Sequence, residues 1–343
     1  MRKLATIEHI SALRPHPNAD SLERATVRGW QVCIKKGELR AGDRCVYCEI
    51  DSVLPERPEF EFLRDRKFRI KTIRLRGELS QGICFPLAVL EVPFNDGGWS
   101  NRLGLGYWEM EWRVGHDVTE LLGVTLYQPP IPACLGSDVA GPFPSFIPKT
   151  DCERIQNHPW ILNDLDGLEW AATEKLNGSS GTFYWKDDAL HVCSRNWELK
   201  ESDRNAFWQA ARTQGLADKL KGTPLAIQGE LLGPGIQGNC YRALQPTLYV
   251  FDVYDWQQHR YLDFLDYRLF CEQHDLECVP LIAYGSRLRD LDSILREAEG
   301  ESELFTTPRE GIVWRPCKEL YHPKIGRVAF KAINNTFLLK QKD

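Results

Sequence analysis

The sequence predicts an α+β fold in two parts, a small N-terminal β-barrel followed by a larger domain of mixed strands and helices. First, 343 residues exceed what a single hydrophobic core usually organises. Second, residues 4–90 contain short apolar runs separated by Gly, Pro and Asp, whereas the chain beyond residue 150 alternates such runs with helical patterns. Third, residues 127–150 contain six prolines, the composition of a linker. We therefore predict domains at residues 1–126 and 151–343, joined by a Pro-rich linker at residues 127–150.

The composition excludes several classes of protein. Lys and Arg number 43 against 48 Asp and Glu, and the net charge of −5 is too mild for a polycation that coats nucleic acid. Hydrophobic residues make up 43% of the chain, which excludes wholesale disorder. The sequence contains neither an apolar run long enough to span a membrane nor the apolar stretch of a signal peptide. We expect a soluble cytoplasmic protein that does not associate with a membrane.

The eleven cysteines are scattered and odd in number, which indicates free thiols in a reducing compartment. The one close pair, Cys45 and Cys48, lies in an apolar run with the pattern of a strand. Because a strand directs residues three apart to opposite faces, we interpret the pair as packed cysteines rather than as a zinc site.

The N-terminal part has the strand spacing of a small barrel. Strands are predicted at residues 25–32, 45–50, 68–75 and 83–90. About five short strands in some 90 residues indicate an OB-type barrel, a fold that often binds oligonucleotides. The segment at residues 64–76 (RDRKFRIKTIRLR) carries seven basic residues and one acid. We predict that Arg64, Arg69 and Lys71 contact a phosphate backbone; the alternative is a solvated strand face.

The second part predicts an α+β domain of nearly 200 residues. Helical patterns cover residues 203–220, 264–274 and 288–298. Strand-like runs occupy residues 180–185, 190–194, 225–231, 247–254, 311–315 and 327–333.

Lys175 is the first candidate for chemistry, because it ends an apolar run and enters an Asn-Gly-Ser-Ser turn. A lysine held in a pocket can act as a nucleophile, although this pattern alone more often marks a surface lysine before a turn. Further polar, charged or aromatic residues then occur at apolar strands in a fixed order. They lie in residues 194–196 (SRN), 228–230 (QGE), 249–254 (YVFDVY), 309–313 (REGIV) and 330–333 (FKAI).

This series resembles the motifs of the covalent nucleotidyltransferases, the superfamily of polynucleotide ligases and capping enzymes. The motifs match in order over residues of about 145–335 and imply a ligase-type nucleotidyltransferase domain. DNA ligases and capping enzymes carry an OB domain after the last lysine motif, whereas here twelve residues follow Lys331 and the barrel comes first. The arrangement is similar to the fifth family of ATP-dependent RNA ligases.

Two further stretches support that resemblance. Residues 143–151 (FPSFIPKTD) and 154–157 (RIQN) resemble the start of the catalytic domain in that family. In the barrel, residues 16–20 (HPNAD) and 75–82 (LRGELSQG) are similar to the OB modules of tRNA-binding proteins. The implied activity is ATP-dependent joining of RNA ends through a lysyl-AMP intermediate.

The resemblance also implies roles for individual residues. Lys175 would be the nucleophile, with its pKa lowered by the site, and Lys331 would stabilise the α-phosphate. Glu230 and Glu310 would hold Mg²⁺ or Mn²⁺, although the acid equivalent to Glu230 can instead bind ribose. The remaining candidates are Glu174 for the adenine edge, Phe251 for adenine stacking, Arg195 for ribose or phosphates, and Lys149 and Arg154 for the nucleic-acid backbone. The expected partner is RNA, as a nicked duplex or an RNA/DNA hybrid.

Two positions depart from the pattern of the family. Asn177 stands where many relatives have Asp, and its amide brings no charge to a metal site. Many relatives end with Lys-x-Lys, whereas here Lys331 is the lone lysine and Arg327 is a candidate for the missing cation. Two other interpretations stay open: a DNA ligase or capping guanylyltransferase, and a non-catalytic tRNA- or RNA-binding protein.

Overall fold

A computed structural model describes residues 3–93, 99–101, 112–127, 138–288 and 290–340. The chain forms two compact units that divide between residues 130 and 131. Each unit has its own core of buried apolar side chains. No helix in the described ranges is long and apolar enough to cross a membrane.

The first unit is built from short antiparallel strands. They are β1 (Ala5–His9), β2 (Ala12–Pro15), β3 (Leu22–Val27), β4 (Trp30–Lys35), β5 (Arg44–Cys48), β6 (Ser52–Val53), β7 (Thr72–Leu75), β8 (Glu78–Gln81), β9 (Ile83–Pro86), β10 (Glu91–Pro93), β11 (Trp99–Asn101) and β12 (Thr125–Leu126). Helix α1 (Thr119–Leu122) and the 3₁₀ helices Pro58–Arg66 and Leu87–Leu90 complete the described part of the unit. The strands pair in the orders β1-β5-β9, β2-β3-β4, β7-β8, β6-β12 and β10-β11.

Three strand predictions in this unit differ from the structure. The predicted strand at residues 83–90 ends at Pro86, where the 3₁₀ helix Leu87–Leu90 begins, and the other two fail at backbone turns. Residues 25–32 form the β3–β4 hairpin, because Arg28 and Gly29 adopt φ of 50° and 76° and reverse the chain. In the basic segment, only Thr72–Leu75 is a strand, since Pro58–Arg66 is a 3₁₀ helix and the left-handed residues Lys67 and Phe68 follow it. Pro58 begins that helix, a position where its missing N–H costs nothing.

Cys45 and Cys48 are both buried within β5. Among the described residues, no group of three or more His, Cys, Asp or Glu side chains is placed to hold a metal ion. Both thiols pack in the hydrophobic core of the unit.

The second unit contains two sheets. The strands are β13 (Val139–Pro142), β14 (Glu153–Arg154), β15 (Trp170–Lys175), β16 (Ser179–Lys186), β17 (Ala189–Ser194), β18 (Trp197–Leu199), β19 (Leu225–Leu232), β20 (Thr247–Asp255), β21 (Arg260–Tyr261), β22 (Leu281–Ser286), β23 (Gly311–Pro316), β24 (Tyr321–His322), β25 (Gly326–Arg327) and β26 (Phe330–Ile333). Within the described ranges, one sheet has the order β13-β18-β17-β16-β19-β20-β21 and the other β14-β26-β23-β15-β22. A separate hairpin joins β24 and β25.

Helices pack against these sheets. They are α2 (Ile161–Asp164), α3 (Ala206–Thr213), α4 (Leu216–Leu220), α5 (Phe264–Gln273), α6 (Leu291–Glu297) and α7 (Asn335–Lys340), with 3₁₀ turns at Ile155–Asn157 and Gln237–Asn239. The single helix predicted at residues 203–220 is instead α3 and α4, because Gly215 adopts a left-handed φ of 61° between them. The Asn205 side chain begins α3 by accepting a hydrogen bond from the Phe207 N–H at 3.0 Å.

Strand β13 lies inside the stretch predicted as linker. It pairs with β18 through Val139–Leu199 and Pro142–Trp197, so these residues form one edge of the larger sheet. The Gln228 amide also donates a hydrogen bond to the Pro148 carbonyl at 2.8 Å, which fixes the chain just before the predicted catalytic domain.

Candidate active site

Lys175 lies at the end of β15, where the neighbouring strand brings a carboxylate to it. The two strands β15 and β23 are antiparallel, and Lys175 is directly opposite Gly311. Glu310 immediately precedes that glycine, and its Oε1 lies 2.7 Å from Lys175 Nζ. The strand register therefore places the candidate nucleophile and the candidate metal ligand in direct contact.

The turn after Lys175 brings a second carboxylate to the same place. The Gly178 N–H donates to Glu230 Oε1 at 3.0 Å. A Cβ at residue 178 would lie 2.4 Å from the Leu231 carbonyl oxygen of β19. No residue larger than glycine therefore fits at this position, where the chain enters β16. Glycine at this position thus allows β19 to deliver Glu230 to the nucleophile.

The two carboxylates control the charge on the lysine. Burial lowers the pKa of the Lys175 ammonium, but Glu310 and Glu230 outweigh burial and leave that pKa above its usual value. Negative charge surrounds the amine on two sides, so the lowered pKa that the resemblance implies requires added positive charge beside Lys175. Burial raises the pKa of Glu230 to about 7, with Lys175 opposing and Glu310 adding to the rise.

Lys331 belongs to a row of side chains that crosses the smaller sheet. Thr173 is opposite Val313, Val313 is opposite Lys331, and Lys331 is paired in parallel with Arg154. Cross-strand partners share a face of a sheet, and Lys175 shares that face with Thr173 two residues earlier. Burial lowers the pKa of Lys331, and the positive charges of Lys175 and Arg154 lower it further. Three cationic side chains therefore lie on one face of the smaller sheet, and Lys175 among them contacts Glu310.

Arg327 does not supply the second cation of the last motif, so that expectation is wrong. Its guanidinium donates two hydrogen bonds to Asp252 at 2.7 Å, pairs with Glu319, and stacks 3.4 Å from the centre of the Tyr261 ring. Arg327 lies in β25, whereas Lys331 lies in β26. Arg154 lies beside Lys331 instead, brought there by the parallel pairing of β14 with β26.

Cys152 is a neighbour of this row that sequence reasoning missed. Burial raises the pKa of its thiol to about 11, and the positive charge of Lys331 opposes this rise. The thiol is therefore protonated at neutral pH and adds no negative charge to the face that carries Lys331.

Phe251 and Glu174 form part of an apolar recess next to Lys175. The register of β20 against β19 shifts at Phe251, and its half-buried side chain packs in a cluster with Leu176 and Tyr241. Glu174 is 1% exposed, and its Oε2 accepts the Glu303 N–H at 2.9 Å. Its Oε1 is buried and has no hydrogen-bond partner among the residues that the structure describes. Burial raises the pKa of this carboxyl. An unsatisfied acceptor beside an aromatic side chain fits a flat ring that carries an amino group.

Comparison with known proteins agrees with this geometry. The family described as RNA ligase matches residues 168–333, and an OB-fold domain family matches residues 4–87. The structure of Naegleria gruberi RNA ligase with PPi is 37% identical, covers 100% of both chains and has a TM-score of 0.77. The chain belongs to the RNA ligase family. The predicted OB-type barrel followed by a ligase-type nucleotidyltransferase domain is thereby confirmed.

Other relatives of this RNA ligase carry nucleotide and metal in their structures. A lysine-to-alanine mutant of the Naegleria gruberi RNA ligase, with ATP and Mn, is 36% identical with a TM-score of 0.77 over 99% of both chains. A glutamate-to-alanine mutant of it, with AMP and Mn, is 36% identical with a TM-score of 0.78 over 99% of both chains.

The phenylalanine–tRNA ligase beta subunit of Halalkalibacterium halodurans is 23% identical over 313 residues, 89% of this chain. The chain spans about a third (34%) of the length of that curated relative.

The donor set of this RNA ligase fits a divalent cation. Glu230 and Glu310 present hard carboxylate oxygens next to each other in a largely buried place. In the described part of the chain no third acid, His or Cys joins them to form a closed metal cluster. Two carboxylates with open positions suit Mg²⁺ or Mn²⁺, because such ions keep several waters and bind substrate phosphates.

A rim of polar side chains lies at the mouth of the site. Arg195 forms an ion pair with Asp151, both more than half exposed, and its positive charge acts on Glu230. Lys149 Nζ donates to Asn196 Oδ1 at 3.1 Å. The two cations that the sequence predicted for ribose, phosphate or nucleic acid are therefore on neighbouring segments.

The three basic residues predicted in the barrel differ in their surroundings. Arg64 pairs with Glu61 in the 3₁₀ helix and with Glu56 just before it. Arg69 pairs with Asp51 and stacks on a tyrosine ring. Lys71 is exposed, and no ion pair of it occurs within the described residues.

Tyr241 is a positioning residue that sequence reasoning missed. Its hydroxyl accepts the Asn177 N–H at 2.8 Å, and the side chain is 7% exposed. It lies in the Gly-rich segment 233–246 (GPGIQGNCYRALQP), which directly follows the strand of Glu230. The sequence signal that could have identified Tyr241 is the position of this segment directly after a strand that ends near an acid. Tyr241 and Glu230 together hold the two backbone amides that follow Leu176.

We expect Tyr241→Phe to slow lysine adenylation about tenfold, because it leaves the Asn177 N–H without its acceptor at a cost of about 1–3 kcal/mol. Single-turnover transfer of labelled AMP to the protein measures this rate. Tyr321→Phe, at an exposed tyrosine, is the matched control and should leave the rate unchanged. An unaltered rate in Tyr241→Phe would show that the turn keeps its geometry without the hydroxyl.

Proposed function

We propose that this ATP-dependent RNA ligase joins a 3′-hydroxyl end to a 5′-phosphate end through AMP bound covalently to Lys175. The contact of 2.7 Å between Lys175 Nζ and Glu310, on a face shared with Lys331, carries the proposal. Three steps follow from it: AMP moves to the lysine, then to the 5′-phosphate, and is released when the 3′-hydroxyl attacks.

The first step begins with the amine of Lys175. Neutral Nζ attacks the α-phosphorus of ATP, a P–N bond forms, the bond to the bridging oxygen breaks, and diphosphate leaves. Glu310 is the acceptor within reach of the departing ammonium proton. Glu230 and Glu310 would hold Mg²⁺ or Mn²⁺, which supplies positive charge that favours the neutral amine and the developing phosphate charge.

Lys331 and Arg154 act on the phosphate that is attacked. Their side chains are neighbours on the same face as the nucleophile, and burial strengthens their electrostatic action there. Fixed positive charge at this place stabilises the negative charge that builds on the α-phosphate in the transition state.

The adenine recess supports ATP rather than GTP as substrate. Glu174 Oε1 is a buried acceptor for which the described residues provide no hydrogen-bond donor. The amino group of adenine satisfies that acceptor, whereas the corresponding oxygen of guanine would repel it. Phe251 stacks on the ring. This observation disfavours a capping guanylyltransferase.

The polynucleotide binds through phosphates rather than bases in this proposal. Arg195 and Lys149 on the rim accept the 5′-phosphate end, and Arg64, Arg69 and Lys71 of the barrel add contacts to the backbone. Contacts of this kind tolerate either sugar, so we propose a nick in duplex RNA or in an RNA/DNA hybrid, with RNA at the 3′-hydroxyl.

Incubation with ATP labelled at the α-phosphate and Mg²⁺ or Mn²⁺, followed by denaturing electrophoresis, tests the proposal. We expect label on the protein, and none with ATP labelled at the γ-phosphate. An excess of unlabelled GTP should not compete. Absence of label under both metals would remove the lysyl-AMP mechanism.

The role of the barrel is tested by Lys71→Glu. We expect weaker RNA binding and a salt dependence of log Kd reduced by about 1, because one phosphate contact is lost. Anisotropy titrations of labelled nicked RNA at several salt concentrations measure both. Lys36→Glu changes another exposed lysine, outside the basic segment, and should have a smaller effect. Equal losses in the two variants would assign the effect to net charge.

A further inference from the structure

Helix α5 and strand β22 border a groove of about 770 Å³ whose lining includes none of the candidate catalytic residues. Leu265 and Leu269 on the helix are 55% and 51% exposed, and Leu281 and Tyr284 on the strand are 40% and 45% exposed. Isolated exposed apolar residues are ordinary, but four large ones around a single groove mark an interaction surface.

The helix is amphipathic in a way that leaves this face without a partner. Phe264, Tyr267 and Cys271 form its buried side and pack into the core of the unit. Leu265 and Leu269 lie one turn apart on another side and point toward the groove. One face of α5 is therefore buried in the core, and its second apolar face remains exposed.

Strand β22 offers a backbone edge next to these side chains. It is the last strand of the sheet β14-β26-β23-β15-β22, and it pairs with β15 along one side. In the part of the chain that the structure describes, no strand pairs with its other side. Such an edge accepts an extended peptide through main-chain hydrogen bonds, with alternate side chains directed into the neighbouring groove.

The charges around the groove indicate what kind of chain binds. Asp266, Glu272 and Glu277 line it and are exposed, and the described residues provide no ion pair for any of them. Arg268 is the one cation in the lining, and its guanidinium donates to the Val279 carbonyl at 3.3 Å. Excess negative charge repels nucleic acid, and it opposes a symmetric contact that would bring the same acids of two copies together.

We propose that this groove binds an extended segment of a partner protein in which apolar residues alternate with Lys or Arg. The segment adds a strand to the open edge of β22, its apolar side chains cover Leu265 and Leu269, and its cations face Glu272 and Glu277. The site is distinct from that of the ligase reaction, because Val279 and Pro280 separate the groove from Glu174, whose N–H donates to the Pro280 carbonyl.

A labelled peptide of about eight residues that alternates Val and Lys is the probe, and fluorescence anisotropy with the full chain measures its Kd. We expect saturable binding to the wild type and at least about tenfold weaker binding to Leu269→Asp. The double variant Glu272→Lys/Glu277→Lys should also lose the Lys peptide and gain affinity for the matching Val/Glu peptide. Methylation of alternate backbone nitrogens in the peptide should abolish binding, because strand addition needs those donors. Unchanged self-adenylation checks that the variants fold.

Three outcomes would overturn the proposal. The first is equal affinity of the wild type for the Lys and Glu peptides, and the second is full binding of the Lys peptide by Leu269→Asp. The third is a dimer in sedimentation of the wild type that Leu269→Asp disperses, since this would assign the groove to a second copy of the chain.

Discussion

Lys175→Ala is expected to reduce transfer of AMP from ATP to the protein by more than about 10³-fold, while the sealing of RNA already adenylylated at its 5′ end survives. The first reaction forms a bond to Lys175 Nζ, so removal of this atom removes the reaction. The last reaction joins the 3′-hydroxyl to an activated phosphate and needs no bond to lysine. Its rate should fall about tenfold at most, through loss of one positive charge near the phosphate.

The two reactions are measured separately, by label on the protein after denaturing electrophoresis and by ligation of pre-adenylylated RNA without ATP. Lys186→Ala is the control, because Lys186 ends strand β16 of the same unit and pairs with exposed Asp187. It should behave as the wild type in both assays. Label that persists in Lys175→Ala would move the nucleophile to another amine of this face, for which Lys331 is the candidate.

The candidate site was predicted from the resemblance of an ordered series of motifs, and the structure brings several of these residues together. Lys175, Glu230 and Glu310 each lie at or beside the end of an apolar run, and antiparallel pairing then brings such ends together. Lys331 follows the same logic, one strand further along the sheet. The sequence therefore contains the chemistry of the site in the types and order of these residues.

The sequence alone did not show the long-range contacts that determine which of two similar residues lies at the site. Arg327 is nearer to Lys331 in the chain, yet Arg154 lies beside it because β14 pairs in parallel with β26. Arg327 is instead held by Asp252, whose position depends on another sheet. In the same way, the apolar pattern predicted a strand from residue 68 in the basic segment of the barrel, but buried Phe60 and Leu63 organise a 3₁₀ helix at the start of that segment, and left-handed residues follow it.

Asp252→Asn is expected to lower the free energy of unfolding of the second unit by about 3–5 kcal/mol, because it leaves buried guanidinium charge unpaired. Asp252 is 8% exposed, and its Oδ1 lies 2.5 Å from Arg315 Nη1 and 2.7 Å from Arg327 Nη2. Arg327 keeps Glu319 as a partner, whereas no second carboxylate pairs with Arg315 in the described residues. Denaturant unfolding measures the loss. Asp203→Asn, the same change at an exposed surface pair, should leave the transition unchanged.

The pH dependence of the difference in unfolding free energy between wild type and Asp252→Asn identifies charge as its cause. Burial raises the pKa of Asp252, but Arg315 and Arg327 outweigh burial and hold the pKa below its usual value. A carboxyl whose pKa is lowered by folding contributes stability above its unfolded pKa of about 3.9 and loses it as the pH falls through the folded value. The difference in unfolding free energy between wild type and Asp252→Asn should therefore be full at neutral pH and close only below about pH 4.

Because Arg315 also donates to the Phe251 carbonyl, the same variant should raise the KM for ATP under conditions where it remains folded. A stable variant with an unchanged KM would separate this ion network from the adenine recess.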